Sequence, residues 1–86
     1  MTYSRKNKGV CSLSTEVSLT EDGVIESIAV VGGCNGNLKG VCSLLQGLRA
    51  EDAVSRLKGL TCGSKPTSCP DQIALALEEA MAQANA

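Results

Sequence analysis

Hydrophobic and polar residues alternate through the first third of the chain. Residues 13–19 alternate between apolar and polar, residues 21–23 read Glu-Asp-Gly, and residues 24–31 are mostly β-branched and apolar. Two such runs around a Gly-containing turn predict a β-hairpin. Residues 2–8 are polar with a single aromatic, and this pattern predicts a further strand at the sheet edge, where lysines discourage pairing with another chain.

The spacing of apolar residues changes from two to three or four after the glycine-rich segment 32–37. A first helix is predicted with Asn37 as its cap, a second short helix opens at residue 51 and stops at Gly59, and a third runs from Pro70 to about residue 84. The apolar positions that define the first and third helices are Leu38, Val41, Leu45 and Leu48, then Ile73, Ala76, Leu77, Ala80 and Met81. Strands followed by helices predict a single α+β domain over residues 1–86: a small antiparallel sheet of two or three strands with about three helices packed on one face.

The composition implies a thin hydrophobic core. The chain has 86 residues with no Phe, no Trp, one Tyr and five cysteines. Domains this small often depend on disulfides or a metal. The N-terminal residues lack the apolar segment of a signal peptide, and no run is long enough to cross a membrane, so we expect a reducing cytoplasmic environment. An odd number of cysteines also fits poorly with a closed set of disulfides, which leaves a metal as the better explanation.

Charge and residue types narrow the function classes. The formal net charge is −1, both signs are interspersed, and there is no histidine. A basic stripe for nucleic acid or anionic lipid is missing, and a histidine-based catalytic triad cannot be assembled. We therefore expect no catalysis by the chain alone, no nucleic-acid or membrane partner, and a protein as its partner; self-association is left open.

Four of the five cysteines fall at the ends of predicted elements. They precede the first hairpin strand, occupy the glycine-rich loop, occupy the loop between the second and third helices, and cap the third helix: Cys11, Cys34, Cys62 and Cys69. Cys42 lies inside a helix and is interpreted as a small buried hydrophobe. At the cap of the last helix, the positive end of the helix dipole favours a thiolate at Cys69, which suits either a nucleophile or a metal ligand.

We interpret the four boundary cysteines as one metal site. Any one of them, taken alone, is better explained as an inert buried residue, and the sequence contains no Cys-x-x-Cys pair. Four thiolates gathered at one end of the sheet would, however, provide tetrahedral ligation for zinc, with an iron-sulfur cluster as the alternative. Lys65, Ser68 and Asp71 are the expected neighbours of the ligands. An ordinary solvated role for Lys65, and a helix-dipole role for Asp71, remain open.

Four short motifs resemble the TSCPD family. They are Gly-Val-Cys-Ser at residues 9–12, Gly-Gly-Cys-Asn-Gly-Asn-Leu at 32–38, Leu-Thr-Cys-Gly-Ser-Lys at 60–65 and Thr-Ser-Cys-Pro-Asp-Gln at 67–72. The resemblance is to the small, free-standing, four-cysteine branch, which is similar to a C-terminal domain of adenosylcobalamin-dependent ribonucleotide reductases. It implies that the same four cysteines are the characteristic ones, and it suggests an accessory or redox role linked to nucleotide reduction.

A fainter likeness connects the chain to NifU/IscU iron-sulfur scaffold domains. In that family three cysteines, matched here by Cys11, Cys34 and Cys69, hold a cluster or a zinc ion. The scaffold's Asp and His ligands correspond to Leu13 and Ser68, so both are missing here. The likeness implies a NifU/IscU-like fold, whereas all-thiolate ligation favours a tightly held soft metal over a cluster destined for transfer.

Overall fold

The computed structural model describes residues 2–10, 12–32, 35–60 and 66–84. In these ranges it has three strands followed by three helices, which confirms the predicted order of two or three strands and about three helices. The elements are β1 (Thr2–Lys6), β2 (Ser12–Leu19), β3 (Ile25–Gly32), α1 (Asn35–Leu45), α2 (Ala50–Leu57) and α3 (Cys69–Ala84). The fold is α+β, as expected for strands followed by helices. In this part of the chain, no helix has both the length and the apolar character needed to cross a bilayer.

The sheet is an antiparallel meander in the order β1-β2-β3. Val17 pairs with Tyr3 on one side and with Ile28 on the other. Side chains alternate across a strand, so Val17 and Leu19 are buried beneath the helices while Glu16 faces outward. β1 is an edge strand, as predicted, and it carries Lys6.

The alternation breaks at the start of β2. The pairing register shifts between Ser12 and Ser14, which is the signature of a β-bulge. Continuing the two-residue period backward from Val17 would bury Leu13, yet Leu13 is 65% exposed and Ser12 is buried. The bulge therefore turns a hydroxyl, instead of a leucine, toward the inside of the domain.

The helices cover one face of the sheet. α3 packs on β1 and β2, α1 packs on β3, and α2 packs on α3. Their contacts are built largely from alanines with no exposed surface, since small side chains let the helices approach closely: Ala50, Ala53, Ala76 and Ala80. Ile25, Ile73 and Leu77 are the largest of the fully buried side chains in this core.

The start of α1 differs from the sequence prediction. α1 begins at Asn35, so Asn37 lies inside its first turn and is not the cap. α1 ends at Leu45, because Gly47 with φ +91° cannot easily continue a helix, so Leu48, expected among the apolar positions of this helix, lies beyond it. α2 likewise ends before Gly59, as predicted.

Candidate functional site

Cys69 is the first residue of α3, and Ser68 is the cap. The Asp71 amide N–H donates to Ser68 Oγ at 3.2 Å, and the Gln72 N–H donates to the Ser68 carbonyl at 2.9 Å. The prediction that Cys69 itself caps the helix is therefore wrong by one position, because a serine hydroxyl accepts amide hydrogen bonds better than a thiol does. The spacing Ser68-x-x-Asp71 resembles a capping box and was a readable signal for this start.

The helix start places the Cys69 sulfur in a polar setting. As the first helical residue, Cys69 lies at the positive end of the α3 dipole, which favours negative charge there. Ser12 Oγ lies 3.2 Å from Cys69 Sγ. Ser12 is 2% exposed, so this contact is shielded from water.

Two further side chains, those of Asn7 and Thr15, form hydrogen bonds that connect Ser12 to the sheet. Asn7 Nδ2 donates to Ser12 Oγ at 2.8 Å, and Thr15 Oγ1 donates to Asn7 Oδ1 at 2.8 Å. Thr15 has no exposed surface and projects into the core side of the sheet. Sequence reasoning missed all three polar residues, although a threonine on the apolar face of β2 was a signal that a buried hydrogen bond was present.

Asp71 ties together the two ends of the loop that carries Cys62. The Gly59 N–H donates to Asp71 Oδ1 at 2.7 Å, and Thr67 Oγ1 donates to Oδ2. These bonds, the Thr67 hydroxyl first and the Gly59 amide second, hold the pKa of the Asp71 carboxyl below its ordinary value. Ser68 Oγ adds a bond to the Leu60 carbonyl at 2.7 Å. Asp71 and Ser68, both expected near the site, thus link the described residues on either side of this loop. The third expected neighbour, Lys65, lies outside the described residues.

A second polar cluster joins β1 to α3. Arg5 Nε and Tyr3 OH each donate to Glu79 at 2.6 Å, and Arg5 Nη1 donates to Gln72 Oε1 at 2.6 Å. The Tyr3 hydroxyl and the Arg5 guanidinium together hold the pKa of Glu79 below its ordinary value. Gln72 Nε2 in turn donates to Thr67 Oγ1 at 2.9 Å, so this cluster supports the loop contacts of Asp71.

Described residues within two positions of each boundary cysteine meet at one end of the sheet. Ser12, which follows Cys11, contacts Cys69 directly and pairs across the sheet with Gly32, two positions before Cys34. Leu60, two positions before Cys62, accepts the hydrogen bond from Ser68 beside Cys69. The start of β2, the end of β3 and the start of α3 therefore form one polar corner. We call it the cysteine corner.

Only one of the four predicted ligands lies among the described residues. Cys69 is described, whereas Cys11, Cys34 and Cys62 lie outside the described residues. In the ranges that the structure does describe, no group of three or more Cys, Asp and Glu side chains could hold a metal ion. The four-cysteine site therefore stays a prediction, with Cys69 as its described member.

Cys42 stands apart from this corner. It lies in the interior of α1, about 10 Å along the helix axis from the first residue, given a rise of ~1.5 Å per residue. It lines a groove of about 350 Å³ between α1 and β3, with Leu38 and Ile28. Cys42 is half-buried, less than the full burial expected, and burial raises the pKa of its thiol. Cys42 therefore has the features of an unreactive packing residue.

Comparison with known families identifies the kind of protein. The TSCPD domain model matches residues 1–81, which is nearly the whole chain. The chain therefore belongs to the TSCPD domain family, and the resemblance seen in its four motifs is confirmed. Searches of curated proteins and of solved structures found no match.

Proposed function

We propose that this TSCPD domain is a small metal-binding module in which four thiolates hold one zinc ion. The ligands are Cys11, Cys34, Cys62 and Cys69, and the module acts as an accessory that binds a protein partner.

The observation that supports this proposal is that described residues close in sequence to each of the four cysteines meet at the cysteine corner. Each of the three other cysteines is within two positions of a described residue at the corner, and consecutive Cα atoms lie ~3.8 Å apart. Two positions span at most ~7.6 Å, so the backbone of each of these cysteines stays close to the corner. A zinc ion held there would bind the four sulfurs at ~2.3 Å each.

The donor set favours a soft metal. Four sulfurs without a nitrogen or oxygen ligand suit Zn²⁺ or an iron-sulfur cluster, and the chain has no histidine to offer. A structural zinc ion can supply folding energy to a small domain whose apolar core is limited, and the core of this chain is limited in this way. Zinc is therefore the first choice and an iron-sulfur cluster the alternative.

Elemental analysis and a visible spectrum of protein purified without oxygen test the proposal. We expect one zinc per chain, no colour, and a lower melting temperature after chelation. Cys→Ser substitution at any of the four ligand positions should release the metal, whereas Cys42→Ser should retain it. Cys42 is the matched control because it belongs to the same chain but lies in α1, away from the cysteine corner.

Two results would overturn the zinc proposal. Substoichiometric metal, together with folding that chelators leave unchanged, would exclude a resident ion of either kind. A brown protein with bound iron and sulfide would replace zinc by the iron-sulfur alternative.

The position of Cys69 supports a second candidate, a thiol redox relay. In this reaction the Cys69 thiolate attacks a substrate disulfide and releases one substrate thiol. Cys62 then attacks the mixed disulfide, releases the second thiol, and leaves an oxidised Cys62–Cys69 pair, so that two electrons pass to the substrate. The similarity to a reductase domain suggests that this relay, or an accessory role, serves ribonucleotide reduction.

Mass spectrometry of the reduced protein mixed with a small disulfide tests the relay. A transient adduct on Cys69 followed by an internal disulfide is expected, and Cys69→Ser should prevent both. Normal disulfide reduction by the Cys69→Ser protein would rule out the relay.

A further inference from the structure

The β-bulge at the start of β2 aims a hydroxyl at the cysteine corner. Even-numbered positions Ser14, Glu16 and Ser18 face away from the helices, and an unbroken strand would place residue 12 with them. The register shift between Ser12 and Ser14 reverses this orientation, so Ser12 is buried and reaches Cys69. Bulges re-aim single side chains in this way beside functional sites.

Ser12 Oγ lies between a chain of hydrogen bonds from the sheet and the Cys69 sulfur. Thr15 donates to the Asn7 carbonyl oxygen, and the Asn7 amide donates to Ser12 Oγ. A hydroxyl carries a single hydrogen, and its oxygen is already accepting from Asn7. Cys69 Sγ is the other described contact of Ser12 Oγ, and the geometry of this contact allows either atom to donate. A thiolate or a metal-bound sulfur has no hydrogen to donate, so with either form of Cys69 the Ser12 hydroxyl is the donor.

We propose that Ser12 is a positioning residue that donates a hydrogen bond to the Cys69 sulfur, with Asn7 and Thr15 holding the direction of its hydroxyl. The consequence for the metal rests on the proposed function: a donor on a ligand sulfur orients it and stabilises its negative charge, and so strengthens its hold on the ion. Partners of this kind outside the ligands typically change metal affinity by ~10- to 100-fold.

Metal competition with a chromophoric chelator measures the contribution to affinity. Ser12→Ala is expected to weaken zinc binding by ~10- to 100-fold, while Ser12→Thr, which keeps the hydroxyl, restores most of it. Ser14→Ala is the matched control, because it removes the same group from the opposite face of β2 and should leave affinity unchanged. If Ser12→Ala does not fold, the near-isosteric Thr15→Val is expected to weaken binding in the same direction by a smaller factor.

Cobalt substitution separates hydrogen bonding from mere packing. In the Co²⁺-loaded protein, loss of the donor should shift the sulfur-to-cobalt charge-transfer band to lower energy in Ser12→Ala but not in Ser14→Ala. An unchanged band and unchanged zinc affinity in Ser12→Ala would overturn the proposal.

A metal-free double-mutant cycle keeps this inference distinct from the proposed function. Unfolding free energies of Ser12→Ala, Cys69→Ala and the double variant, measured in chelator, should be non-additive because the two side chains share one hydrogen bond. Additive energies would overturn the hydrogen bond whatever the metal content. Non-additive energies in a protein that binds neither zinc nor cobalt would confirm the bond and overturn only its link to metal binding.

Discussion

Asp71 shows how one carboxylate links two segments of the chain. Its two oxygens accept from Gly59 and Thr67, residues on either side of the segment that contains Cys62. Asp71 is 9% exposed, so its charge is satisfied mostly by these bonds and little by water. Its sequence position indicated a place beside the metal ligands or an interaction with the helix dipole, but not these two partners, because folding brings them together.

Replacing Asp71 by Asn should destabilise the domain at neutral pH by about 1–2 kcal/mol, since a charged hydrogen-bond acceptor is lost. The pKa of Asp71 is lowered in the folded state from the ordinary value of 3.8, so its contribution is fully present above that value and is lost as pH falls through the lower, folded one. Urea unfolding at a series of pH values should show the wild-type and Asp71→Asn curves converging in acid. Glu16→Gln, an exposed carboxylate on the outer sheet face, is the control; an equal loss there, or a pH-independent difference, would contradict this role.

At single positions, the sequence revealed the chemistry but not the contacts. The spacing of Ser68 and Asp71 was a readable cap signal, and Cys69 was recognised as a helix-start thiol. Asn7, Ser12 and Thr15 carry no such local signature. Their importance comes from hydrogen bonds across strands and to α3, which depend on which residues the sheet register places opposite one another.

Among the strands and helices, the junction of β2 and β3 depends on Gly32. This residue has φ +79°, and a Cβ built on it would lie 3.2 Å from Leu13 Cγ in the facing bulge. A glycine tolerates both the backbone conformation and the close approach. The regular parts of each element followed from periodicity, but the bulge did not, since a one-residue register shift leaves no mark in an apolar-polar pattern.

Substituting Ala for Gly32 should destabilise the protein by about 1–2 kcal/mol, because a side chain in the left-handed region is strained and Leu13 must move. The matched substitution is Gly40→Ala in α1, where an added Cβ meets no described atom within 4 Å. That change should stabilise the domain by about 0.5–1 kcal/mol through helix propensity. Thermal and urea unfolding of both variants check the opposite signs; a neutral Gly32→Ala would show that the bulge does not require glycine.

The stability of the whole domain depends on a small apolar core and on hydrogen bonds and an ion pair at its edge. Leu77 and Ile73 are among the few large side chains with no exposed surface, and alanines fill much of the rest. The Arg5–Glu79 pair, with the Tyr3 hydroxyl, fastens β1 to α3 at the rim. Every described side-chain nitrogen or oxygen that is fully buried has a hydrogen-bond partner, so none of these atoms adds the cost of an unpaired buried polar group.

Truncating Leu77 to Ala should remove about 2–5 kcal/mol, because a cavity would open at the centre of the α3 contact. That is a large part of the ~5–15 kcal/mol typical of a folded domain. Leu44→Ala deletes the same atoms from a side chain that is 78% exposed and should change stability by less than about 0.5 kcal/mol. Denaturant midpoints of the two variants, measured with excess zinc and again in chelator, test this difference; similar losses for both would contradict the assigned core.

The sequence alone determined three features of this protein: the order of strands and helices, the apolar face of α3 and the family of the chain. The first two depend on the spacing of apolar residues that are near neighbours, and the family depends on short motifs. The cysteine corner was anticipated only as a gathering of element ends. That Ser12 meets Cys69, 57 positions away, and that Asp71 holds both sides of the Cys62 loop, follow from the folded structure. Those contacts depend on a one-residue bulge and on helix docking, and both are decided by packing across the whole domain, which no local pattern encodes.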